Sequence, residues 1–217
     1  MKLHFLMAAA VAALTAAAGA AQAADDFQPE VAGQWMLNVR VTDVDPVAGS
    51  SINTGAGVAT GLKANVNSDV VPTIGVSYFF TNNIAVEVIA GTSYHTIKAE
   101  GPGTDVAVHN TWVLPPVVTL QYHFLPAGRI SPYVGAGVNY MIFYGGQNKN
   151  GYAVNLPDGF GGALQAGVDF PLQGRWSANL DVKKVFFTTD ASINGGAYKS
   201  SVNLDPLVIS AGIGYKF

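Results

Sequence analysis

Hydrophobic and polar residues alternate over eight stretches of this sequence. Alternation with a period of two is the pattern of a β-strand that has one apolar and one polar face. Each stretch is about long enough for a tilted membrane-spanning strand, which needs roughly 9–11 residues. The predicted strands comprise residues 34–45, 70–80, 84–99, 112–125, 131–144, 160–172, 176–190 and 203–217.

The connections between these stretches alternate between short and long. Residues 81–83, 126–130 and 173–175 have the composition of tight turns. The long connections are polar and glycine-rich, and they comprise residues 46–69, 100–111, 145–159 and 191–202. This arrangement predicts an all-β fold, an eight-stranded antiparallel transmembrane β-barrel of the up-and-down type. Its short turns face the periplasm and its longer loops face the outside.

Aromatic residues on the apolar face concentrate near both ends of the strands. Membrane barrels carry such rings at their two interfaces, whereas ordinary strand enrichment would scatter them along each strand. The rings near the short-turn end are Trp35, Tyr78, Phe80, Tyr122, Phe124, Phe170, Trp176, Tyr215 and Phe217. Those near the opposite end are Tyr94, Trp112, Tyr140, Tyr144 and Phe186. The apolar face is therefore predicted to contact lipid.

The polar face of the strands fits a barrel lumen. Its predicted members are Asn38, Arg40, Thr42, Thr73, Ser77, Glu87, His95, Thr119, Gln121, His123, Asn139, Gln165, Asp169, Asn179, Asp181 and Lys183. Buried charges need partners, so we expect the charged residues of this face to compensate one another in a lumen charge cluster. The members of this predicted cluster are Arg40, Glu87, Asp169, Asp181 and Lys183.

Lys184 departs from the pattern, because strict alternation directs it toward lipid. A lysine at the bilayer midplane costs roughly 2–4 kcal/mol. Two explanations remain open from the sequence: a β-bulge resets the register near Lys184, or Lys184 lies above the hydrocarbon.

Composition and the first residues of the chain indicate the cellular compartment and argue against one class of partner. The 217 residues contain no cysteine, only 12% charged residues and a formal net charge of −3. A weakly acidic chain without a basic block is not expected to bind nucleic acid. Residues 1–23 combine Lys2, an apolar stretch and the small-x-small site Ala21-Gln22-Ala23. They predict a cleaved signal peptide, followed by a single barrel domain over residues 24–217 in the outer membrane.

Catalytic residues are sparse in this sequence. Ser93 and His95 lie on one predicted face, which makes a serine–histidine pair conceivable. Two polar lumen residues are the simpler interpretation, since the sequence has no Gly-x-Ser-x-Gly motif and no histidine pair with metal-ligand spacing. We therefore predict no enzyme, no catalytic residues, no cofactor and no metal. A lipid-modifying barrel enzyme is therefore the least favoured hypothesis of function.

Several segments resemble the OmpW family of small outer-membrane proteins. They are "VPTIGVSYFFTNNIAVEVIAGT" (71–92), "VHNTWVLPPVVTLQYHF" (108–124), "PYVGAGVNY" (132–140), "ALQAGVDFPL" (163–172), "LDVKK" (180–184) and "LDPLVISAGIGYKF" (204–217). The resemblance is specific in the strands and weak in loops 46–69 and 145–159. It implies an eight-stranded barrel with a rather hydrophobic lumen, linked to the passage of small hydrophobic molecules. For some members it also implies a role as bacteriocin receptor.

The leading hypothesis is a narrow, largely hydrophobic passage or binding groove for small apolar molecules. The lumen glycines make space. Prolines toward the loop-side ends of the strands cannot donate to a strand ladder. They either terminate the strands, which is the simpler interpretation, or weaken the ladder of the upper wall so that an apolar molecule can leave sideways. The predicted residues of the lumen and lateral exit are Pro72, Pro115, Pro116, Val117, Phe79, Ile89, Met36 and Met141. The alternative is a non-transporting surface receptor or envelope-stabilising barrel, whose loops bind a bacteriocin or phage.

The last strand is predicted to be an assembly signal as well as an interface anchor. Ile213, Tyr215 and Phe217 occupy alternate positions on its apolar face, which resembles the closing-strand signal of outer-membrane barrels. The expected partners are the barrel-assembly machinery, outer-membrane lipids, small hydrophobic solutes and a bacteriocin or phage, but no nucleic acid.

Overall fold

Antiparallel strands make up most of the structure, a computed structural model that describes residues 27–47 and 49–217. The predicted signal peptide, residues 1–23, lies outside these residues. Within them, no helix has the length and apolar character of a transmembrane helix. The strands are β1 (Trp35–Asp45), β2 (Ser50–Thr54), β3 (Ala59–Val66), β4 (Asp69–Phe79), β5 (Ile84–Gly91), β6 (Ser93–Gly101), β7 (Thr104–Leu114), β8 (Val117–His123), β9 (Ser131–Asn148), β10 (Val154–Asn155), β11 (Gly159–Pro171), β12 (Trp176–Phe186), β13 (Thr188–Ile193), β14 (Tyr198–Asn203) and β15 (Leu207–Lys216).

Eight of these strands close into a barrel. Their order is β1-β4-β5-β8-β9-β11-β12-β15, and β15 pairs back with β1. In the closing pair Val39 lies opposite Ile213. Closure satisfies the backbone groups that a free strand edge would leave exposed to lipid. The predicted eight-stranded antiparallel barrel is confirmed.

The long connections form a second ring of strands on one end of the barrel, which corrects their description as loops. This ring has the order β9-β7-β6-β3-β2-β14-β13-β10. Between β10 and β9 the contact is a side-chain bond, from the Val154 amide to Asn148 Oδ1 at 3.0 Å. The wall therefore continues beyond the predicted strand ends, and the lumen extends upward with it.

The two faces of the barrel have opposite chemistry. All sixteen polar residues predicted for the lumen are buried. The outer face carries exposed aliphatic and aromatic side chains, of which Trp35 and Trp176 lie beside Tyr78 and Tyr215 at the short-turn end. At the other end, Trp112 contacts Tyr94 and Tyr144. These rings form two belts, as membrane interfaces favour.

Lys184 keeps the regular strand register. It pairs with Leu207 in a ladder without a shift, so no bulge is present between β12 and β15. Its ammonium group donates a hydrogen bond to the backbone carbonyl of Asp205, beyond the start of β15. The long side chain thus carries its charge upward, away from the hydrocarbon centre.

Two lumen glycines permit close approach between neighbouring strands. A Cβ atom on Gly137 would lie 1.9 Å from the backbone oxygen of Val118, and one on Gly212 would lie 2.1 Å from that of Val39. Real Cβ atoms do not come so close to a carbonyl oxygen, so glycine is required at both positions for the observed packing.

Phe217 provides a test of barrel closure. Its amide and carbonyl both bond to Trp35, and its ring is 57% exposed on the outer face. We predict that Phe217→Ser lowers the amount of heat-modifiable, folded protein in the outer membrane, because the closing strand loses an aromatic anchor. Val47→Ser, an exposed position outside the barrel strands, is the control. Unchanged assembly of Phe217→Ser at equal expression would contradict the assembly role.

Candidate functional site

The lumen is divided into a polar half and an apolar half. The half near the short turns is filled by hydrogen-bonded polar and charged side chains, which we call the polar plug. The half near the second ring contains a cavity lined by aliphatic side chains, which we call the upper cavity. In several barrel strands the inward residues change from polar to apolar toward the second ring, as from Thr119 to Val117 in β8 and from Lys183 to Val185 in β12.

Four charges form the centre of the polar plug. Arg40 Nη2 lies 2.6 Å from Glu87 Oε1, and Lys183 Nζ lies 3.1 Å from the other oxygen of that carboxylate. Lys183 also lies 2.5 Å from Asp181 Oδ1. The Gln165 amide donates to both Glu87 and Asp181. Two cations thus face two carboxylates, and each side chain is at most 1% exposed. Such pairing is what makes buried charge tolerable.

Asp169, the fifth predicted member, is connected to this centre through Asn179. The Asn179 amide donates to Asp169 Oδ1 at 2.9 Å, while Arg40 Nε donates to Asn179 Oδ1 at 2.6 Å. Asp169 therefore belongs to the plug without an ion pair to Arg40 or Lys183 among the described contacts.

The segment that precedes β1 closes the lower end of the plug. Its Glu30 amide bonds to the carbonyl of Pro126, and its carboxylate accepts a hydrogen bond from Ser131 Oγ at 2.7 Å. His123 Nδ1 lies 3.1 Å from the same carboxylate. One ligand atom each from Glu30, His123 and Asp169 lie within 4.8 Å of one another, so these buried residues could hold a cation.

Three lumen glycines make room for plug side chains and do not widen a groove, whereas Gly91 lines the upper cavity. A Cβ on Gly75 would lie 2.8 Å from Arg40 Nη1, and one on Gly214 would lie 2.6 Å from Asn38 Oδ1. A Cβ on Gly167 would lie 2.4 Å from the Tyr133 ring. The missing side chains thus leave volume that Arg40, Asn38 and Tyr133 occupy.

The upper cavity is an apolar space that is partly open to solvent. Its lining comes from both rings of strands. The aliphatic residues packed around it include Ile89, Val117, Met141 and Val185 from the barrel and Val113 from β7 of the second ring. The second ring contributes Ile52, Ala64, Val108, Ala191, Ile193 and Val202. A lining of this composition suits a small apolar ligand.

The barrel wall is interrupted beside this cavity. The ladder between β5 and β8, the third and fourth strands of the barrel, stops at Ile89 opposite Val117. Pairing resumes between β6 and β7, at Ser93 opposite Val113. Residues 90–92 face residues 114–116 across this interruption, which we call the wall gap. Ala90 and Thr92 are exposed on the outside and also line the cavity. Residues of the wall gap thus separate the cavity from the outer surface and contribute to both.

The structure brings together part of the predicted lumen set. Pro115, Val117, Ile89 and Met141 line the upper cavity. Pro116 lies in the wall gap, where its carbonyl accepts hydrogen bonds from the Tyr140 amide and from the Asn139 side chain.

The other predicted residues lie elsewhere in the barrel. Pro72 is exposed on the outer face of β4, opposite Val41. Met36 and Phe79 form a separate buried cluster with Ala85 and do not line the upper cavity, because their strand positions are nearer the short turns.

Ser93 and His95 contact each other at the edge of the upper cavity. Ser93 Oγ lies 2.8 Å from His95 Nε2, and His95 Nδ1 lies 2.7 Å from the backbone carbonyl of Asn67. In catalytic triads a carboxylate usually orients the histidine. Here Asp69, the nearby carboxylate, accepts hydrogen bonds from the backbone amides of Val70 and Tyr94 instead.

About a third of the cavity lining was missed by the strand prediction, because 12 of the 35 lining residues lie in the four segments predicted as loops. A signal for them exists in the sequence. Ile52 lies between polar neighbours, and Leu62, Ala64 and Val66 alternate with polar residues in β3. These stretches are shorter than a membrane span, so their period-two pattern was assigned to loops.

The comparisons with known proteins agree with this architecture. The family model described as "OmpW family" matches residues 31–217. Outer membrane protein W of Escherichia coli is 32% identical over 98% of this chain and 99% of its own length. The dibenzothiophene metabolism operon protein PahQ of Pseudomonas aeruginosa is 27% identical over 84% of this chain and 88% of its own length.

Among solved structures, the outer membrane protein OprG from Pseudomonas aeruginosa superposes with a TM-score of 0.82. It is 31% identical, and the match covers 88% of this chain and 99% of OprG. Family model, relatives and structure agree over most of the described residues. The chain belongs to the OmpW family of outer-membrane proteins.

Proposed function

We propose that this outer-membrane barrel provides a passage for small apolar molecules, which enter the upper cavity from outside and leave sideways through the wall gap. The observation that carries the proposal is the position of the cavity. It is apolar, it lies directly above a closed polar plug, and the wall beside it is interrupted at residues that line the cavity and are exposed on the outer surface. In this role the chain is a passive carrier and not an enzyme.

The polar plug makes a straight route through the barrel unfavourable. An apolar molecule moving downward would have to separate Glu87 from Arg40 and Lys183. Breaking a buried ion pair costs about 3–5 kcal/mol, and an apolar molecule offers no compensating contacts. The wall gap requires no such step, since its backbone ladder is already interrupted.

The free energy of burial favours entry from water. A ring compound with about 150 Å² of apolar surface gains about 4 kcal/mol on burial, at about 25 cal/mol per Å². This corresponds to an affinity of about 1 mM, which permits release. The name of the relative PahQ associates that protein with dibenzothiophene metabolism. Dibenzothiophene is itself a small apolar ring compound, which supports the proposed class of solute.

Prolines in the wall gap provide the test of the exit. In Pro115→Thr/Pro116→Val, two backbone donors are restored, and each new ladder bond favours the closed wall by about 1 kcal/mol, or about fivefold. We predict a reduction in protein-dependent flux of a hydrophobic fluorescent probe into liposomes by about fivefold or more, with a heat-modifiable barrel retained. Pro132→Val is the matched control, because Pro132 lies in β9 near the short turns.

Unchanged flux in the double proline variant would exclude the wall gap as the exit. If the wild-type protein also gives no more flux than protein-free liposomes, the receptor or envelope-stabilising function replaces the passage. The second ring of strands would then be the working surface, with exposed Val47 and Val58 outside the barrel.

A further inference from the structure

Seven hydroxyl groups interrupt the apolar lining of the upper cavity. Thr42 and Thr73 lie at its floor, and Thr92 is exposed and bonds to the Tyr144 hydroxyl. The other four, Ser93, Thr111, Thr189 and Ser200, lie in the walls and are at most 5% exposed. A buried hydroxyl offers one proton and two acceptor lone pairs. The partners of these protons therefore decide which polar group of a ligand the cavity can satisfy.

Three of these hydroxyls donate their proton to the protein backbone. Thr189 Oγ1 donates to the carbonyl of Pro157 at 3.0 Å, and Ser200 Oγ donates to that of Ser51 at 3.0 Å. Thr111 Oγ1 lies 3.1 Å from the carbonyl of Trp112. A carbonyl can only accept, so the direction of each bond is fixed. The lone pairs of the three hydroxyl oxygens remain.

The fourth hydroxyl, that of Ser93, has its direction fixed by a histidine. His95 Nδ1 must carry a proton, because its partner is the backbone carbonyl of Asn67 at 2.7 Å. The described hydrogen bonds of this buried ring go to neutral groups, and a buried imidazolium without a carboxylate partner is unfavourable, so the ring is uncharged at neutral pH and Nε2 is an acceptor. Ser93 Oγ, 2.8 Å away, therefore donates to Nε2 and presents only lone pairs to a ligand.

The floor of the cavity offers little to an anion. Thr42 Oγ1 lies 2.7 Å from Thr73 Oγ1 and 2.9 Å from Ser210 Oγ, so two of the three hydroxyl protons are used within this group. Lys183 is held by the carboxylates of Asp181 and Glu87. A ligand with a hydrogen-bond acceptor would face the lone pairs of the walls, and a carboxylate would also be buried without a partner.

We propose that the upper cavity selects small apolar molecules that carry one hydrogen-bond donor, such as a phenol or an alcohol, over the matching hydrocarbon and over acids. The selecting acceptor is Ser93 Oγ, supported by His95. Ser93 begins β6 directly after the wall gap and pairs with Val113, so it lies beside the proposed exit. This inference rests on the proposed function and specifies its class of substrate.

Matched ring compounds test the selectivity on the wild-type protein. Binding of naphthalene, 1-naphthol, 1-methoxynaphthalene and 1-naphthoate to the protein in lipid nanodiscs is measured at pH 7, with protein-free nanodiscs subtracted for partitioning into lipid. We expect 1-naphthol to bind about fivefold tighter than naphthalene, the net value of one hydrogen bond. The methoxy compound, which lacks the proton, loses this gain, and 1-naphthoate binds more weakly than naphthalene.

A double variant assigns the effect to its residues. Ser93→Ala/His95→Phe removes both the hydroxyl and the ring nitrogen that could replace it as an acceptor. Without this hydrogen bond, the double variant should bind 1-naphthol and naphthalene with about equal affinity. Ser201→Ala is the matched control, because Ser201 is exposed on β14. The comparison of 1-naphthol with 1-methoxynaphthalene needs no variant and decides the matter even where the double variant does not fold.

The outcomes separate the inference from the function on which it rests. Equal affinity of the wild-type protein for naphthalene, 1-naphthol and the methoxy compound overturns the donor selectivity and leaves the apolar passage intact. A preference for 1-naphthol that persists in the folded double variant overturns the assignment to Ser93. Absence of any saturable binding, naphthalene included, overturns both the inference and the proposed function.

Discussion

Replacing Arg40 with methionine is expected to destabilise the barrel by about 3–5 kcal/mol, the cost of leaving one partner of a buried ion pair alone. Arg40 is 2% exposed and lies 2.6 Å from Glu87. Without the guanidinium, the two carboxylates of Glu87 and Asp181 face only Lys183, and the centre of the plug carries an uncompensated negative charge. The measurement is reversible urea unfolding of the protein in lipid vesicles.

A second substitution supplies the matched control for this result. Arg40→Met/Glu87→Gln removes one cation and one carboxylate, so the centre of the plug is neutral again. We expect the double variant to regain more than half of the lost free energy of unfolding, since neutral replacements of a buried pair are often tolerated. If Arg40→Met costs less than about 1 kcal/mol, as a surface pair would, the plug is not an electrostatically coupled unit.

The barrel itself could be predicted from the sequence because lipid and lumen impose a strict period of two on every spanning strand. Val39 and Val41 alternate with Asn38 and Arg40, and the structure pairs this strand with β15 in the expected sense. The predicted charges of the lumen could be found for the same reason. An inward charge on a spanning strand is buried, and a buried charge is costly unless it is paired, so it is expected beside an opposite charge.

The division of the lumen into plug and cavity could not be predicted in the same way. Period two assigns a residue to a face but gives no height along the barrel axis. Met36 and Met141 therefore received one prediction, although the structure places Met36 near the short turns and Met141 in the upper cavity. Register between neighbouring strands is needed to separate them, and it depends on pairings far apart in the sequence.

The closure of the lower end of the plug by the segment that precedes β1 could not be predicted from the sequence either, because its residues lie outside any alternating stretch. Glu30 is buried next to His123 by a hydrogen bond from its own amide to Pro126 in a turn. A single acidic residue before the first strand carries no periodic signal. Its burial follows from the packing of the segment before β1 across the open end of the barrel, a contact that only the three-dimensional fold specifies.

Val117→Arg is expected to reduce protein-dependent flux of an apolar probe to the level of protein-free liposomes. Val117 is 5% exposed, packs with Ile89 and Met141, and lies next to Pro116 at the wall gap. An arginine here occupies the cavity beside the exit. Its charge would lose water when an apolar molecule enters, and that molecule offers no group that could replace the water. Val117→Leu keeps the site apolar at a similar position and serves as the control.

A chemical block at the same position removes the uncertainty of folding from this test. The chain has no cysteine, so Val117→Cys introduces a single thiol at the cavity wall. The folded variant is first assayed for flux, then labelled with a bulky methanethiosulfonate reagent and assayed again, and finally treated with reductant. Flux should disappear on labelling and return on reduction, because the same folded molecules are compared throughout. Flux that is insensitive to the label, with labelling verified by mass, places the route outside the upper cavity and contradicts the proposed passage.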